Sequence, residues 1–311
     1  MITRPIRLSA GSRQPGEPAE PLIHRGYMKR IQFSLIALAI SLTAFAGNED
    51  YPIGARSAAL GNASVSLSDL WSAHHNQAGL GFVRDISAGV SYENRFLLKE
   101  ISVRGGAVAL PIKAGTFGLC ITNFGYSQYS ENKYSLSFAK AFSSKFSAGI
   151  AMDYLSTKIA EGYGSRGSLV AEAGIIAKPI KGLSIGAHVF NPTRAKISAY
   201  DDERLPTIIR LGGDYLFSDK VRLAVEAQKD IKYKAEFKAG LEYLPVKELY
   251  LRIGISTNPT LSTFGFGLNL SNFKIDLSAS YHQTLGISPQ LGLSYSFKKA
   301  KKELHESEDV F

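Results

Sequence analysis

Residues 221–228 read VRLAVEAQ and residues 235–243 read AEFKAGLEY. In the first, Val221, Leu223, Val225 and Ala227 alternate with Arg222, Glu226 and Gln228; in the second, Ala235, Phe237, Ala239, Leu241 and Tyr243 alternate with Glu236, Lys238 and Glu242. A period of two means strands with one oily and one wet face. The pattern continues through Leu249, Leu251, Ile253 and Ile255, then Phe264, Phe266, Leu268 and Leu270, then Phe273, Ile275, Leu277, Ala279 and Tyr281, then Leu291, Leu293, Tyr295 and Phe297. Working back towards the amino end, similar segments recur around 86–92, 101–112, 116–126, 133–142, 146–155, 168–177, 183–190 and 207–217, which makes fourteen strands.

Alternation alone suits a soluble antiparallel sheet or a barrel wall standing in lipid. The connections separate the two. After even strands they are tight, at 113–115, 143–145, 179–182, 218–220, 245–248 and 271–272; after odd strands they are mostly longer, notably 156–167 and 191–206, with 230–232 as the exception. A membrane barrel sorts its loops in this way, with an even strand count and aromatic girdles at both interfaces. Tyr92, Phe96, Tyr126, Tyr129, Tyr134, Phe142, Phe146, Tyr154, Tyr215, Phe217, Tyr243, Phe273, Tyr281 and Phe297 lie at strand ends and fit such girdles. The expected fold is all-β, a 14-stranded antiparallel transmembrane β-barrel with a small N-terminal plug.

The chain has 311 residues, 45% of them hydrophobic, and a formal net charge of +9. Met28-Lys29-Arg30, the apolar run 31–42 and Ala44-Phe45-Ala46 have the layout of a secretory signal, too short to span a bilayer. Export to the outer membrane of a Gram-negative bacterium follows. Residues 1–27 read as a non-native leader, 28–46 as the signal peptide, 47–83 as the plug, 84–297 as the barrel and 298–311 as a charged periplasmic tail. Loss of residues 1–46 removes six Lys/Arg and two Asp/Glu, so +9 becomes +5. That mild charge, with no dense basic patch among aromatics, argues against nucleic acid. A single cysteine, Cys120, excludes an internal disulfide framework.

Fourteen strands enclose a lumen too wide for wall side chains to fill, so an occupant is needed. Residues 47–82 lack the two-residue period and are rich in small side chains, which suits short helical turns packed inside the barrel, with Ser68 or Asp69 capping the turn before Trp71. Arg104, Asp153, Glu172, Arg210, Asp214, Arg222, Glu226, Glu236, Lys238, Arg252 and Asp276 are read as facing inward, mixed in sign and able to pair with one another or with the plug.

The run Ile53-Gly54-Ala55-Arg56-Ser57-Ala58-Ala59-Leu60-Gly61-Asn62-Ala63, followed by Asn76-Gln77-Ala78-Gly79-Leu80, resembles the N-terminal hatch of FadL-type outer-membrane barrels, particularly the PorV/PorQ-like branch of Bacteroidetes. In that branch the second motif carries proline where this chain has Gln77. The resemblance makes Gly54, Ala55, Arg56, Gly61, Asn62, Asn76, Gly79 and Leu80 the plug motif. It implies a partner-binding role in type IX protein secretion, with secreted proteins or secretion machinery as partners besides outer-membrane lipid. The alternative it implies is a hatch-gated channel for fatty acids or other small hydrophobic molecules, leaving sideways where the third strand kinks; Gly118 and Gly125 would permit that kink. The loop 191–206, with Arg194, Lys196, Asp201, Asp202, Glu203 and Arg204, is too polar for an evident greasy capture site.

No catalytic, cofactor-binding or metal-binding residues are expected. Adjacent His74 and His75 point about a hundred degrees apart on a helix, with no third ligand at suitable spacing. A lipid hydrolase built on a serine with His188 or His282 is the enzymatic alternative, but no Gly-x-Ser-x-Gly elbow is present.

Overall fold

The computed structural model describes residues 51–160, 164–196 and 204–297. The leader, signal peptide and charged tail expected at 1–27, 28–46 and 298–311 lie outside the described residues.

Fourteen strands follow one another: β1 (Ile86–Asn94), β2 (Ser102–Ile112), β3 (Gly115–Gly125), β4 (Tyr129–Ala141), β5 (Phe146–Ile159), β6 (Gly164–Ala177), β7 (Leu183–Phe190), β8 (Ile208–Ser218), β9 (Val221–Asp230), β10 (Glu236–Val246), β11 (Leu249–Ser256), β12 (Leu261–Leu270), β13 (Phe273–His282) and β14 (Gly286–Phe297). Each pairs antiparallel with its chain neighbours, and β1 closes the cylinder on β14 from Ile86 opposite Phe297 to Glu93 opposite Gln290. Closure leaves no edge strand.

The period of two fixes which residues face out. Val90, Ile150, Ile253 and Phe264 are each more than half exposed, and their cross-strand partners point the same way. Such an apolar exterior is unstable in water and matched to lipid. Aromatic pairs mark the margins: Phe142 with Phe146, Tyr215 with Phe217 and Phe273 with Tyr295 at the short-turn end, and Tyr134 with Tyr154 towards the long loops. Two residues expected in the girdles lie elsewhere. Tyr129 donates its hydroxyl to Glu131, and Phe96 packs edge-on against His282 in the connection after β1.

Two strands outrun their expected ends. The loop expected at 156–167 is largely a continuation of the β5–β6 hairpin, with Ser156 opposite Gly167 and Ile159 opposite Gly164. The hairpin there stands beyond the apolar band, so both faces meet polar surroundings and the two-residue signal disappears. Arg104 corrects the sequence reading in another way: it pairs with outward Tyr92 and is exposed. The outward face of β2 passes from Ile112, Leu110 and Val108 through Gly106 to Arg104, so the charge sits where the wall leaves the apolar band.

Inward glycines let the plug approach the wall. Gly89, Gly105, Gly118, Gly149, Gly174, Gly186, Gly212, Gly240, Gly254, Gly265 and Gly292 lie on eleven different strands, and a Cβ on any of them would come within 4 Å of an atom from residues 53–80. At Gly254 that Cβ would lie 2.3 Å from the Gly61 nitrogen. Gly254→Ala is therefore expected to displace the plug while the barrel stays closed. Single-barrel conductance in a planar bilayer should rise, whereas Gly106→Ala, whose added Cβ meets nothing nearer than 3.9 Å, should leave it unchanged.

Candidate functional site: the plugged lumen

The plug is a chain of short turns: α1 (Ala55–Ala59), α2 (Ser72–His75) and a 3₁₀ turn (Gln77–Phe82). None is long enough to be stable alone in water, so wall contacts must hold them. Gly54 has φ 90° and lies against the Trp71 ring; Gly61 has φ 64° and faces the Ile255 carbonyl, a place where a side chain would be both strained and blocked. Asn62 follows with φ 63°. Ala55 is buried opposite Gly292 of β14. Asp69 Oδ1 accepts from the Trp71 amide at 2.9 Å, the cap expected before that turn. Asn76 caps the 3₁₀ turn through Ala78 N and donates to the Val65 and Ile175 carbonyls. Gly79 lies tight against Ser72, and Leu80 packs on Gly118 of β3.

Charged wall residues hold this backbone in two layers. Nearer the short turns, Arg56 forks onto Glu242 at 2.8 and 2.9 Å and onto Asp69 at 2.8 Å. Glu242 also accepts from Arg252 at 2.8 Å, and Arg252 reaches Asp276 at 2.6 Å; Arg222 bonds Asp214. Burial alone would lower the Arg56 pKa, but Glu242 and Asp69 more than reverse that and hold the guanidinium well above its ordinary value. On β9, Glu226 accepts both the Ser64 and Val65 amides, at 2.8 and 2.9 Å. The wall carboxylate thus satisfies plug donors that have no partner in their own turn.

The second layer lies on β4 to β7. Lys133 Nζ sits 2.5 Å from Glu172 Oε1 and 3.5 Å from Asp153, and His188 Nε2 is 3.0 Å from Glu172 Oε2. From the plug, the Gln77 amide donates to that same Glu172 oxygen. Gln77 occupies the position where the hatch motif has proline; its side chain supplies a wall contact that proline could not make.

One step closer to the long loops the inward face changes character. Leu155 is two residues beyond Asp153, Val170 two before Glu172, Phe190 two beyond His188 and Ile208 two before Arg210, so all four share the charged layer's orientation. With Leu205 they form a buried apolar collar, against which Ala195 packs. Asn191, at φ 53°, donates from its side chain to the Leu205 carbonyl at 3.2 Å, and Leu205 N donates to the Ala195 carbonyl at 3.0 Å. A greasy cluster not evident from the polar loop is therefore packed beneath it, its five side chains only 1–6% exposed. The parity of those four strand positions was its sequence signal.

At Gly118 and Gly125, where the sequence would permit a kink, β3 keeps its pairing. Its ladders run without register shift from Ile112–Gly115 to Val103–Phe124 on one side and from Thr116–Ala139 to Gly125–Ser130 on the other. Gly118 is a packing position under Leu80, and Gly125, at φ 99°, ends the strand. His188 belongs to the Glu172 cluster, and His282 Nδ1 accepts the Thr284 and Leu285 amides in the last turn. Among the described residues no group of three His, Cys, Asp or Glu could hold a metal ion.

No protein-family model matches this chain, and no curated protein sequence matches it. Solved structures do. The P. putida toluene transporter TodX superposes with a TM-score of 0.62 at 14% identity, over 79% of this chain and 99% of that one. The fold is that of the FadL-type transmembrane barrels. The CymD monoaromatic hydrocarbon channel gives 0.61 at 11%, over 79% of this chain and 98% of that one, and a Pseudomonas aeruginosa FadL homologue 0.57 at 12%, over 80% and 99%. These likenesses do not bear on the PorV/PorQ branch, on Bacteroidetes or on type IX secretion.

Two outcomes test the plug's anchors. Glu242→Ala leaves Arg56 to Asp69 and Arg252 to Asp276 and removes the carboxylate the two share, a loss of about 3 kcal/mol for a buried pair; amide hydrogen exchange across 53–80 should accelerate on the order of a hundredfold. His75 Nε2 donates to the Ile53 carbonyl at 2.7 Å, and burial, reinforced by Arg210 and opposed by Asp69 and Glu226, lowers its pKa to about 4. A seated plug thus keeps His75 neutral where a released one would take a proton. Seating should weaken progressively as pH falls from about 6.5 towards 4, by up to roughly tenfold per pH unit, and exchange rates in His75→Gln should lose most of this slope.

Proposed function

We propose that this protein is a non-enzymatic, plug-gated conduit for small hydrophobic molecules in the outer membrane of a Gram-negative bacterium. The observation that carries the reading is the collar of Leu155, Val170, Phe190, Leu205 and Ile208, a buried apolar cluster on the inward side of β5 to β8, one step on the long-loop side of the plug's Gln77–Glu172 contact. A lumen built only to hold water or ions has no use for it. The plug below is held by polar contacts and by an apolar cluster in which Ile53, Leu70, Trp71 and Leu80 pack on Val103, Ala107 and Cys120 of the wall, so its release, which opens the bore, must break both. TodX and CymD, named for transport of toluene and of monoaromatic hydrocarbons, support the class of cargo. The secretion role implied by the PorV/PorQ-like motif rests on that motif alone, with no second feature of the lumen behind it.

The test locks the gate. A Cβ at Gly292 would lie 3.5 Å from the Ala55 Cβ, within the range that a disulfide spans. In a Cys120→Ser background, Ala55→Cys with Gly292→Cys should form that bond on oxidation. Uptake of labelled toluene into liposomes carrying the barrel is expected to stop when the pair is oxidised and to return on reduction, and Phe190→Asp should slow it at least fivefold. Equal uptake by the oxidised and reduced forms would refute a moving plug.

A further inference from the structure

The outward faces of the fourteen strands carry no Asp or Glu among the described residues; their charges are Arg104, Lys140, Lys158 and Lys229. Arg104 is set apart by how it is held. Its Nη1 donates to Asn123 Oδ1 at 2.8 Å, and Asn123 Nδ2 donates in turn to Asn132 Oδ1 at 2.8 Å, a relay of side chains across β2, β3 and β4 on the outside of the wall. Amides orient the guanidinium without neutralising it, and this bond uses one of its five N–H donors. Tyr92 lies opposite it on β1, and the stacked rings of Tyr134 and Tyr154 adjoin Asn132, so the relay sits at the level of the aromatic girdle.

Two residues along β2, about 7 Å from Arg104 at the rise of an extended strand, the wall is dented. A shallow groove of about 520 Å³ begins at Gly106 and Ile121 and runs past Val90, Val108 and Leu293 to Tyr295 and Phe273 near the short turns. It is almost wholly apolar because Gly106 has no side chain and Ala88 only a methyl group.

We propose that relay and groove form one lipid-binding site. Its occupant is a phosphate-bearing anionic lipid of the leaflet on the long-loop side, with its phosphate on Arg104 and the Asn123–Asn132 amides and one acyl chain in the groove. Charge complementarity, the absence of outward carboxylates among the described residues and the closeness of a cationic head site to an apolar groove favour this over a purely apolar guest. The site lies on the outer wall and does not depend on what the lumen carries.

Native mass spectrometry of the full chain in mild detergent, titrated with phosphatidylglycerol or with phosphatidylcholine, tests it. The expected result is one phosphatidylglycerol retained per barrel at least tenfold more strongly than phosphatidylcholine. Arg104→Gln should remove that preference, Gly106→Leu should fill the groove and cut retention of either lipid, and Lys229→Gln, on β9, should change neither. Heat-modifiable electrophoretic mobility confirms that each variant is folded. Equal retention of the two lipids, an Arg104→Gln variant that still prefers phosphatidylglycerol, or a barrel dimer abolished by Gly106→Leu would overturn the proposal, the last by showing a second copy in the groove. Toluene uptake by Arg104→Gln should match the unmodified chain, so a failure here is separable from a failure of the conduit reading.

Discussion

A cylinder of fourteen strands cannot be filled by its own side chains. Every other feature of the lumen answers that mismatch of width. The volume is occupied by backbone from the amino end, and backbone can touch a β-wall only where the wall has no Cβ in the way. Hence glycine stands on the inward face of strand after strand, at Gly149 beneath Gln77, at Gly186 beneath Val65 and at Gly240 beneath Leu60. The same close packing puts buried plug amides and carbonyls out of reach of water, and the wall must supply their partners.

Side chains that remain on the inward face therefore work in pairs. Glu226 meets two plug amides, Thr263 both donates to the Ala59 carbonyl and accepts from Gly61, and Arg56 is held by Glu242 and Asp69. Unpaired, any of these charges would be costly in the closed lumen; paired, they fix the plug in one register. The plug is placed by these polar bonds and by an apolar contact, where Ile53, Leu70, Trp71 and Leu80 pack with Val103, Ala107 and Cys120 of the wall; neither kind of contact belongs to the ladder bonds of the cylinder. The buried apolar cluster on the plug's long-loop side has the opposite chemistry to the charged layers. The ladders of β3 run past the plug without a register shift.

The exterior obeys a different solvent. Lipid admits no unpaired charge within the apolar band, and the outward cations stand on its margins, Arg104, Lys158 and Lys229 towards the long loops and Lys140 towards the short turns. Arg104 shows that charge alone does not tell inside from outside: parity along the strand decides, and position along the barrel axis decides whether a charge there is tolerated.

The sequence by itself determined the strand count, the antiparallel meander and the presence of a non-strand occupant, because these follow from periodicity and from the width of a fourteen-strand ring. It also narrowed the cap before Trp71 to Ser68 or Asp69, since capping is local, and the structure chose Asp69. The extent of the β5–β6 hairpin was hidden, because beyond the apolar band both faces are polar and alternation vanishes. Only the tertiary structure decided which inward residues meet which plug atoms, that Gln77 reaches Glu172, that Gly118 is a packing position, and that Leu155, Val170, Phe190, Leu205 and Ile208 converge. Those partners are separated by tens to hundreds of residues, and they are neighbours only because the ring closes, a condition that acts on the whole chain at once.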